Sequence, residues 1–315
     1  MNPLISIIIA CKGVDNYVRE CIKYCKKIDY NNYEIILLPD EALEDINGVK
    51  IIPTGPVTPG RKRNIGVSNA KGEYCAFIDS DAYPNRDWLK NAIKYFGDPM
   101  IAGIGGPGLT PEDDSPMRKA SGYVLSSFMV GGLSRRYKAE QIYESDDIHS
   151  CNFIVCKKVL EEAGGWNEKY WPGEDTLICL SIRQLGKRLI EASDVVVHHH
   201  RRPLFKEHLK QVSRFGLHRG FFAKKFKGNS FKPIYFIPSL FVVSLFVGTL
   251  ASLISPFLMN AVLLATLLYL LLCLFATLYV KSAKLFIPVW LGIVMTHIVY
   301  GESFLQGLIK RILER

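Results

Sequence analysis

Between Ile234 and Tyr300 the chain carries charge at only two positions, Lys281 and Lys284. A run of about 20 apolar residues is long enough to cross the hydrocarbon core of a bilayer. Two stretches meet that length clearly, Ile234–Phe257 and Leu258–Val280, whereas Leu285–Tyr300 is shorter. Residues 1–230 have the composition of an ordinary soluble protein, so the 49% hydrophobic content of the 315 residues is unevenly spread. The net charge of +9 is localised too: Arg201–Lys232, directly ahead of the first apolar stretch, holds ten Lys or Arg against one acid, Glu207. Such a run can bind nucleic acid. One that leads straight into a spanning segment is better read as a collar resting on an anionic cytoplasmic leaflet, and no nucleic-acid partner is expected. Three regions follow: 1–200, a basic interfacial region 201–232, and a membrane domain 233–315 with two to three hydrophobic segments and a C-terminal amphipathic helix. The N-terminus enters a strand with no basic n-region or cleavage site, so no signal peptide is expected. Eight cysteines form no C-x-x-C pair, which fits reduced, buried thiols in a cytosolic domain.

The first 200 residues alternate two periodicities. Leu4–Ala10 (LISIIIA), Tyr33–Leu38, Val49–Ile52, Tyr74–Ile78 and Ile101–Ile104 read as strands. Val14–Lys26, with Val18, Ile22 and Cys25 on one face, Gly60–Ala70 and Asp87–Phe96 read as helices between them. Strands alternating with helices imply βαβ units and a mostly parallel sheet with right-handed crossovers. Neither G-x-G-x-x-G after the first strand nor a P-loop is present. Gly103–Gly108 reads as a turn and residues 110–147 as loop-rich, with Gly122–Leu133 apolar but too short to span. Asn152–Cys156 is a further strand, Lys157–Ala163 a short helix, and a longer helix starts at Glu174-Asp175. Val195–Val197 is a last strand running into His198-His199-His200.

The fourth strand ends abruptly in Asp79-Ser80-Asp81. Two carboxylates at the carboxyl end of a buried strand are costly unless a cation or a donor network neutralises them, and ligands bind outside the carboxyl ends of such sheets. Mg²⁺ and similar hard cations take one or two carboxylates and complete their shell with phosphate oxygens and water. The physical reading is a metal-bridged diphosphate site. The alternative is an acidic loop capping a helix opened by Pro84-Asn85-Arg86-Asp87.

Three motifs occur in order: R-N-x-G at Arg63, Asn64 and Gly66, then G-E-Y-x-A-F-x-D-S-D, then G-G-W-N-E-x-Y-x-P-G-E-D. Together they resemble the family-2 glycosyltransferases of GT-A fold, over residues 4–200. Q-V-S-R-F, with Gln211, Arg214 and Phe215, resembles the Q-x-x-R-W motif of membrane-bound members. Phe215 stands where that motif has Trp, which argues against a processive role like that of cellulose or hyaluronan synthases. The H-I-V-Y-G-E-S-F-L-Q-G tail resembles the third hydrophobic segment of small membrane-anchored members.

The resemblance implies an inverting enzyme that takes a sugar from a nucleotide diphosphate sugar. On it, Asp40 would lie near the base or ribose, and Arg63, Gln211 and Arg214 would join the donor site. Asp79 and Asp81 would place Mg²⁺ or Mn²⁺ on the diphosphate, and one of the three histidines, for which we take His199, would complete that set. Asp175 would be the general base with Glu174 its neighbour. The acceptor is expected to be a hydroxyl of a lipid-linked or otherwise membrane-bound molecule; a phosphate acceptor, as in polyprenyl-phosphate glycosyltransferases, is the alternative within enzymes. A scaffold without catalysis disagrees with intact D-S-D and E-D motifs, and three hydrophobic segments without repeats make a poor transporter. The collar and Lys281/Lys284 place the catalytic region on the cytoplasmic side of a multi-pass cell-membrane protein, with Ser255–Asn260 outside. Phe205, Leu209, Val212, Phe222 and Phe226 recur as on an interfacial helix. Three full spans would put Lys310, Arg311 and Arg315 outside, against the trend. A re-entrant third segment followed by an in-plane helix over Gly301–Arg315 is the other arrangement.

Overall fold

The computed structural model describes residues 2–313, which form two compact units: residues 2–111 with 135–200, and residues 112–134 with 201–313. In chain order the first unit lays down β1 (Ile5–Ala10), α1 (Asn16–Cys25), β2 (Tyr33–Leu38), β3 (Lys50–Ile51), α2 (Pro59–Asn69), β4 (Tyr74–Asp79), β5 (Ala82–Pro84), α3 (Trp88–Ile93), β6 (Ile101–Gly105) and β7 (Gly108–Leu109). The second unit follows with α4 (Pro116–Ser126), and a run of 3-10 turns covers Phe128–Tyr137. The first unit then resumes with β8 (Tyr143–Ser145), β9 (Asn152–Cys156), α5 (Lys157–Glu162), α6 (Glu174–Gln184), β10 (Arg188–Glu191) and β11 (Val197–His199). The chain ends with α7 (Lys206–Lys225), α8 (Pro233–Ser252), α9 (Pro256–Phe275) and α10 (Ala283–Ile309).

Eight strands form one sheet in the order β3-β2-β1-β4-β9-β6-β10-β8, and β5-β11-β7 form a small second sheet. The β3–β2–β1–β4 half is parallel, as is β6 with β10; β9 runs antiparallel to both β4 and β6, and β8 antiparallel to β10. The α/β, mostly parallel expectation therefore holds, with one departure. The strand after α3 does not pair with β4; β9 takes that place, setting Phe153 against Phe77 and Ile154 against Ala76.

Period-two alternation separates two apolar layers. Ile5, Ile7, Ile9, Ile35, Leu37, Ala76 and Ile78 face α1 and α3, where Val18, Cys21, Ile22, Trp88 and Leu89 are buried. Ile8, Ile36, Leu38, Cys75 and Phe77 face the opposite layer, with Val67 of α2, Leu160 of α5 and Ile178 and Ile182 of α6. Helices on both faces leave the carboxyl ends of β1, β2 and β4 as the place where polar side chains gather. No disulfide joins any of the eight cysteines.

Several expected elements change. Pro84 ends β5 instead of opening a helix, and α3 is short, passing into a 3-10 turn over Lys94–Gly97. The next helix starts only at Trp88, beyond β5, so Asp79 and Asp81 do not stand at its N-terminus as the helix-capping alternative requires. The glycine run 103–108 is mostly strand, split between β6 and β7. The loop-rich 110–147 contains α4 and β8, and β10 was not expected at all.

In the second unit α8, α9 and α10 are long and apolar enough to cross a membrane, with mean hydropathies of 2.1, 2.4 and 1.6. Side chains such as Leu240, Phe246, Leu263 and Leu267 point outward, which suits lipid better than water. The third apolar helix is longer than the Leu285–Tyr300 expected: α10 continues unbroken through Gly301 to Ile309, so no separate in-plane helix starts at Gly301. Arg315 lies outside the described residues. Much of the apolar face of α7 is taken up by α10. A Cβ added at Gly220 would stand 2.1 Å from the Phe304 carbonyl oxygen, so only glycine permits this backbone contact. His208 is fully buried within the unit, its ring nitrogens 2.8 Å from Ser121 Oγ and 2.9 Å from Thr296 Oγ1. Burial pushes its pKa down to about 4, so this imidazole is a neutral tie between helices.

Candidate active site

The last residue of β4 is Asp79, paired in register with Ala10 of β1. Two residues later the chain passes Asp81 and enters β5, which pairs antiparallel with β11 so that Ala82 lies opposite His199. The His200 N–H donates to the Asp81 carbonyl (3.0 Å), closing the same ladder. This pairing is what brings a residue near position 200 to the acids near position 80. His199 Nε2 lies 3.3 Å from Asp81 Oδ1, and one ligand atom from each of Asp79, Asp81 and His199 falls within 4.8 Å of the others. Two carboxylates and an imidazole at such separations suit a hexacoordinate divalent cation with water or phosphate oxygens in the remaining positions.

The neighbouring imidazoles point elsewhere because side chains alternate along a strand. His198 stacks on Tyr83 with centroids 5.0 Å apart and lies 3.0 Å from Asn85 Oδ1. His200 Nε2 is 2.8 Å from Glu20 Oε2. An open cleft of about 630 Å³ on the His198 side is lined by Tyr24, Lys27, Tyr83, Asn85 and Arg86, and none of the predicted site residues lines it.

Helix α2 supplies the cations. Thr58 caps it, Pro59 starts it, and its buried residues Gly60, Lys62, Arg63, Gly66 and Val67 face the sheet. The Arg63 side chain, 7% exposed, lies between two acids, donating to Glu174 Oε1 (2.8 Å) and Asp79 Oδ1 (3.2 Å). Its guanidinium sits 4.9 Å from the Trp166 ring centroid, a cation–π contact that holds the fork in place. Lys62 donates to Asp40 Oδ1 (2.5 Å) at the end of β2.

On the other side of Arg63 begins α6, entered through Gly173 at φ +117°, a conformation few other residues adopt. Glu174 is buried, and its second oxygen, Oε2, has no hydrogen-bond partner among the described residues. Asp175 is half-buried and accepts from the Thr176 N–H (2.8 Å). Burial, then Glu174 and Asp147, push its pKa up to about 7, while Arg136 and the Thr176 N–H pull the other way. Asp147 is buried, accepts from Thr176 Oγ1 (3.1 Å) and pairs with Arg136 (3.2 Å). Burial also raises Glu191, at the end of β10, to about 8, against the pull of Arg136.

The first unit thus brings together Asp40, Arg63, Asp79, Asp81, Glu174, Asp175 and His199; Gln211 and Arg214 stand on α7 of the second unit. Lys62, Arg136, Asp147 and Glu191 were not anticipated. For Lys62 a signal existed, since it shares the buried stripe of α2 with Arg63, Gly66 and Val67.

A family model described as glycosyl transferase family 2 matches residues 6–164. The chain belongs to glycosyl transferase family 2. This glycosyltransferase is 24% identical over 241 residues to a Methanococcus voltae enzyme, spanning 70% of this chain and 74% of that one. The relative is named dolichyl N-acetyl-α-D-glucosaminyl phosphate 3-β-D-2,3-diacetamido-2,3-dideoxy-β-D-glucuronosyltransferase. The pre-mycofactocin glycosyltransferase of Mycobacterium tuberculosis is 29% identical over 150 residues, 46% of this chain and 31% of the relative. Among solved structures, a mannosyltransferase from Pyrobaculum calidifontis, in complex with GDP-mannose and Mn²⁺, superposes with a TM-score of 0.59. That match covers 99% of this glycosyltransferase and 89% of the other chain at 17% identity, a likeness of fold.

Proposed function

We propose that this family 2 enzyme is membrane-anchored and moves a sugar, with inversion, from a nucleotide diphosphate sugar to a hydroxyl of a lipid-linked or membrane-bound acceptor. The carrying observation is the division of the site by Arg63: a carboxylate–carboxylate–imidazole set on one side, and on the other a buried acidic group, begun by Glu174, in which the Asp175 pKa is raised to about 7. The name of the Methanococcus relative, which acts on a dolichyl-linked sugar, supports the acceptor class.

In this reading Asp79, Asp81 and His199 hold Mg²⁺ or Mn²⁺, whose chemistry when bound is Lewis-acid neutralisation of diphosphate charge. Asp40 accepts a hydrogen bond from the nucleoside. Arg63 fixes Asp79 and Glu174 so that neither swings into the other's place. Asp175 takes the acceptor hydroxyl proton as the oxygen attacks the anomeric carbon. A base whose pKa lies close to ambient pH is both partly ionised and basic enough to be useful. For Gln211 and Arg214 a phosphate-binding role rests on the Q-x-x-R motif alone. The catalytic unit faces the cytoplasm on the positive-inside argument; a cysteine introduced at Ser255 that reacts with an impermeant label from outside intact cells checks that orientation, and its protection would reverse it.

The testing experiment is a donor screen with the purified protein in detergent, reading nucleoside diphosphate release with and without lipid extract. Release that depends on both a nucleotide sugar and the lipid fraction is expected. Release unaffected by lipid, or none with any donor, would overturn the proposal.

A further inference from the structure

Lys62 is buried, with 4% of its surface exposed, and its ammonium has three N–H groups to place. All three have partners: the Cys11 carbonyl at 2.7 Å, the Leu38 carbonyl at 3.2 Å and Asp40 Oδ1 at 2.5 Å. A neutral amine would have only two hydrogens for these three acceptors, so the site calls for the charged form. Cys11 follows β1 and Leu38 ends β2, so one side chain clamps the two strand ends to the acid beyond them. The backbone is tied in the same place: Asp40 N–H donates to the Lys12 carbonyl and Gly55 N–H to the Asp40 carbonyl, each at 2.9 Å. With Oδ1 taken, Asp40 Oδ2 has no hydrogen-bond partner among the described residues, and the Asp40 side chain is 23% exposed against 5% for Lys62.

We infer that Lys62 is the positioning residue of the nucleoside subsite: it fixes Asp40 as an ionised carboxylate with one oxygen occupied and one presented to the ligand, so that the subsite selects a hydrogen-bond donor. This rests on the reading that Asp40 meets the nucleoside of the sugar donor. A carboxylate beside an ammonium accepts and does not donate. The matching ligand group is therefore an N–H or O–H: the ring N–H of uracil, thymine or guanine, or a ribose hydroxyl. Cytosine and adenine carry an acceptor at that ring nitrogen and offer only their exocyclic amino group, so a contact to the ring position would disfavour them. The departure of Lys62 would not remove Asp40 but would free its carboxylate to rotate.

The test is calorimetric binding of UDP, GDP, CDP, ADP and 2′-deoxy-UDP, in Mg²⁺ and again in Mn²⁺, to the detergent-purified full chain and to Lys62→Met. The wild type is expected to rank the ligands, and Lys62→Met to lose about 10- to 100-fold in affinity for the preferred one, the range of a charge-assisted hydrogen bond. In turnover the loss should fall on donor KM with kcat nearly kept. UDP and GDP above CDP and ADP assigns the contact to the base; a difference between UDP and 2′-deoxy-UDP alone assigns it to the ribose. In an Asp40→Ala background Lys62→Met should have no further effect on affinity. If Lys62→Met does not fold, Lys62→Gln, which keeps two N–H donors for the carbonyls, serves in its place. A folded variant with unchanged affinity and ranking, and only a lower Tm, makes Lys62 a structural clamp and overturns the inference. A wild type that binds none of these diphosphates overturns instead the nucleotide-sugar reading beneath it.

Discussion

Arg63 separates two groups of carboxylates made of the same residue types in different surroundings. On the β4 side Asp79 and Asp81 keep 33% and 31% of their side-chain surface open, with an imidazole beside them. On the α6 side Glu174, Asp147 and Glu191 are buried and Asp175 half-buried, with Arg136 the cation pulling on Asp175 and Glu191. An open pair with a nitrogen ligand can be satisfied by a divalent cation, as its geometry allows. A buried group with too little positive charge is satisfied by holding protons, which is why Asp175 and Glu191 rise to about 7 and about 8. Burial and the ratio of acids to cations, more than residue type, distinguish a metal-type site from a proton-handling one.

The comparison breaks most sharply on the open side. Asp81→Asn, or excess chelator on the wild type, should reduce transfer by at least about 10³-fold, since several kcal/mol of leaving-group stabilisation would go. Undiminished release of nucleoside diphosphate in chelator would show that the open carboxylates are not a metal set. On the closed side Asp175→Asn should cost about 10²–10⁴-fold in kcat, the usual contribution of a placed base, with donor affinity kept. A variant that binds donor and turns over like the wild type would remove Asp175 from proton transfer and point to a phosphate acceptor, already ionised at neutral pH.

How much of this could be read beforehand differs between the two sides. Asp79 and Asp81 are one residue apart at the end of a strand whose apolar run is continuous, and Glu174-Asp175 opens a helix behind Pro172-Gly173, so both pairs stand out locally. The choice among His198, His199 and His200 depends on the Ala82–His199 pairing, a tertiary fact that no local spacing carries. Arg136 and Asp147 act on both Asp175 and Glu191 only because a 3-10 turn, a loop and the end of β10 are buried together. Likewise β9 is plainly a strand from N-F-I-V-C, but its antiparallel place between β4 and β6 is a long-range pairing that no local spacing carries. The apolar helices were legible as composition; the unbroken course of α10 past Gly301 was not, because Glu302 and Gln306 suggest an end that packing overrides.

A smaller effect is expected from Arg136→Met. Arg136 lowers the pKa of Asp175, so its loss should raise that pKa further above 7. The base works when deprotonated; activity is lost as pH falls through its pKa. The acid limb of kcat/KM should therefore move to higher pH in Arg136→Met and return in Arg136→Lys. A lower rate with an unmoved limb would leave Arg136 a purely structural partner of Asp147.

The smallest change in rate is expected from Glu191→Gln, which alters protonation without touching the proposed base. Glu191 faces Arg136 and Asp147, and a Cβ on Gly105 would come within 3.2 Å of its Oε2, so the carboxyl lies in a closed space. Its folded pKa of about 8 stands well above the ordinary 4.5. Between those values the folded state holds a proton that the unfolded chain has released, so stability falls as pH rises across this window. Asp175 adds a fall of the same sign from about 4 to about 7. Each extra proton held contributes a slope approaching about 1.4 kcal/mol per pH unit. Glutamine keeps the shape and a hydrogen-bond donor but has nothing to ionise. The apparent Tm of Glu191→Gln in detergent should therefore decline less steeply from pH 5 to pH 8 than that of the wild type, the two curves separating most near pH 8. Parallel curves would mean that Glu191 is ionised in the folded protein, with Arg136 neutralising it, and the contrast between the two sides of Arg63 would then rest on Asp175 alone.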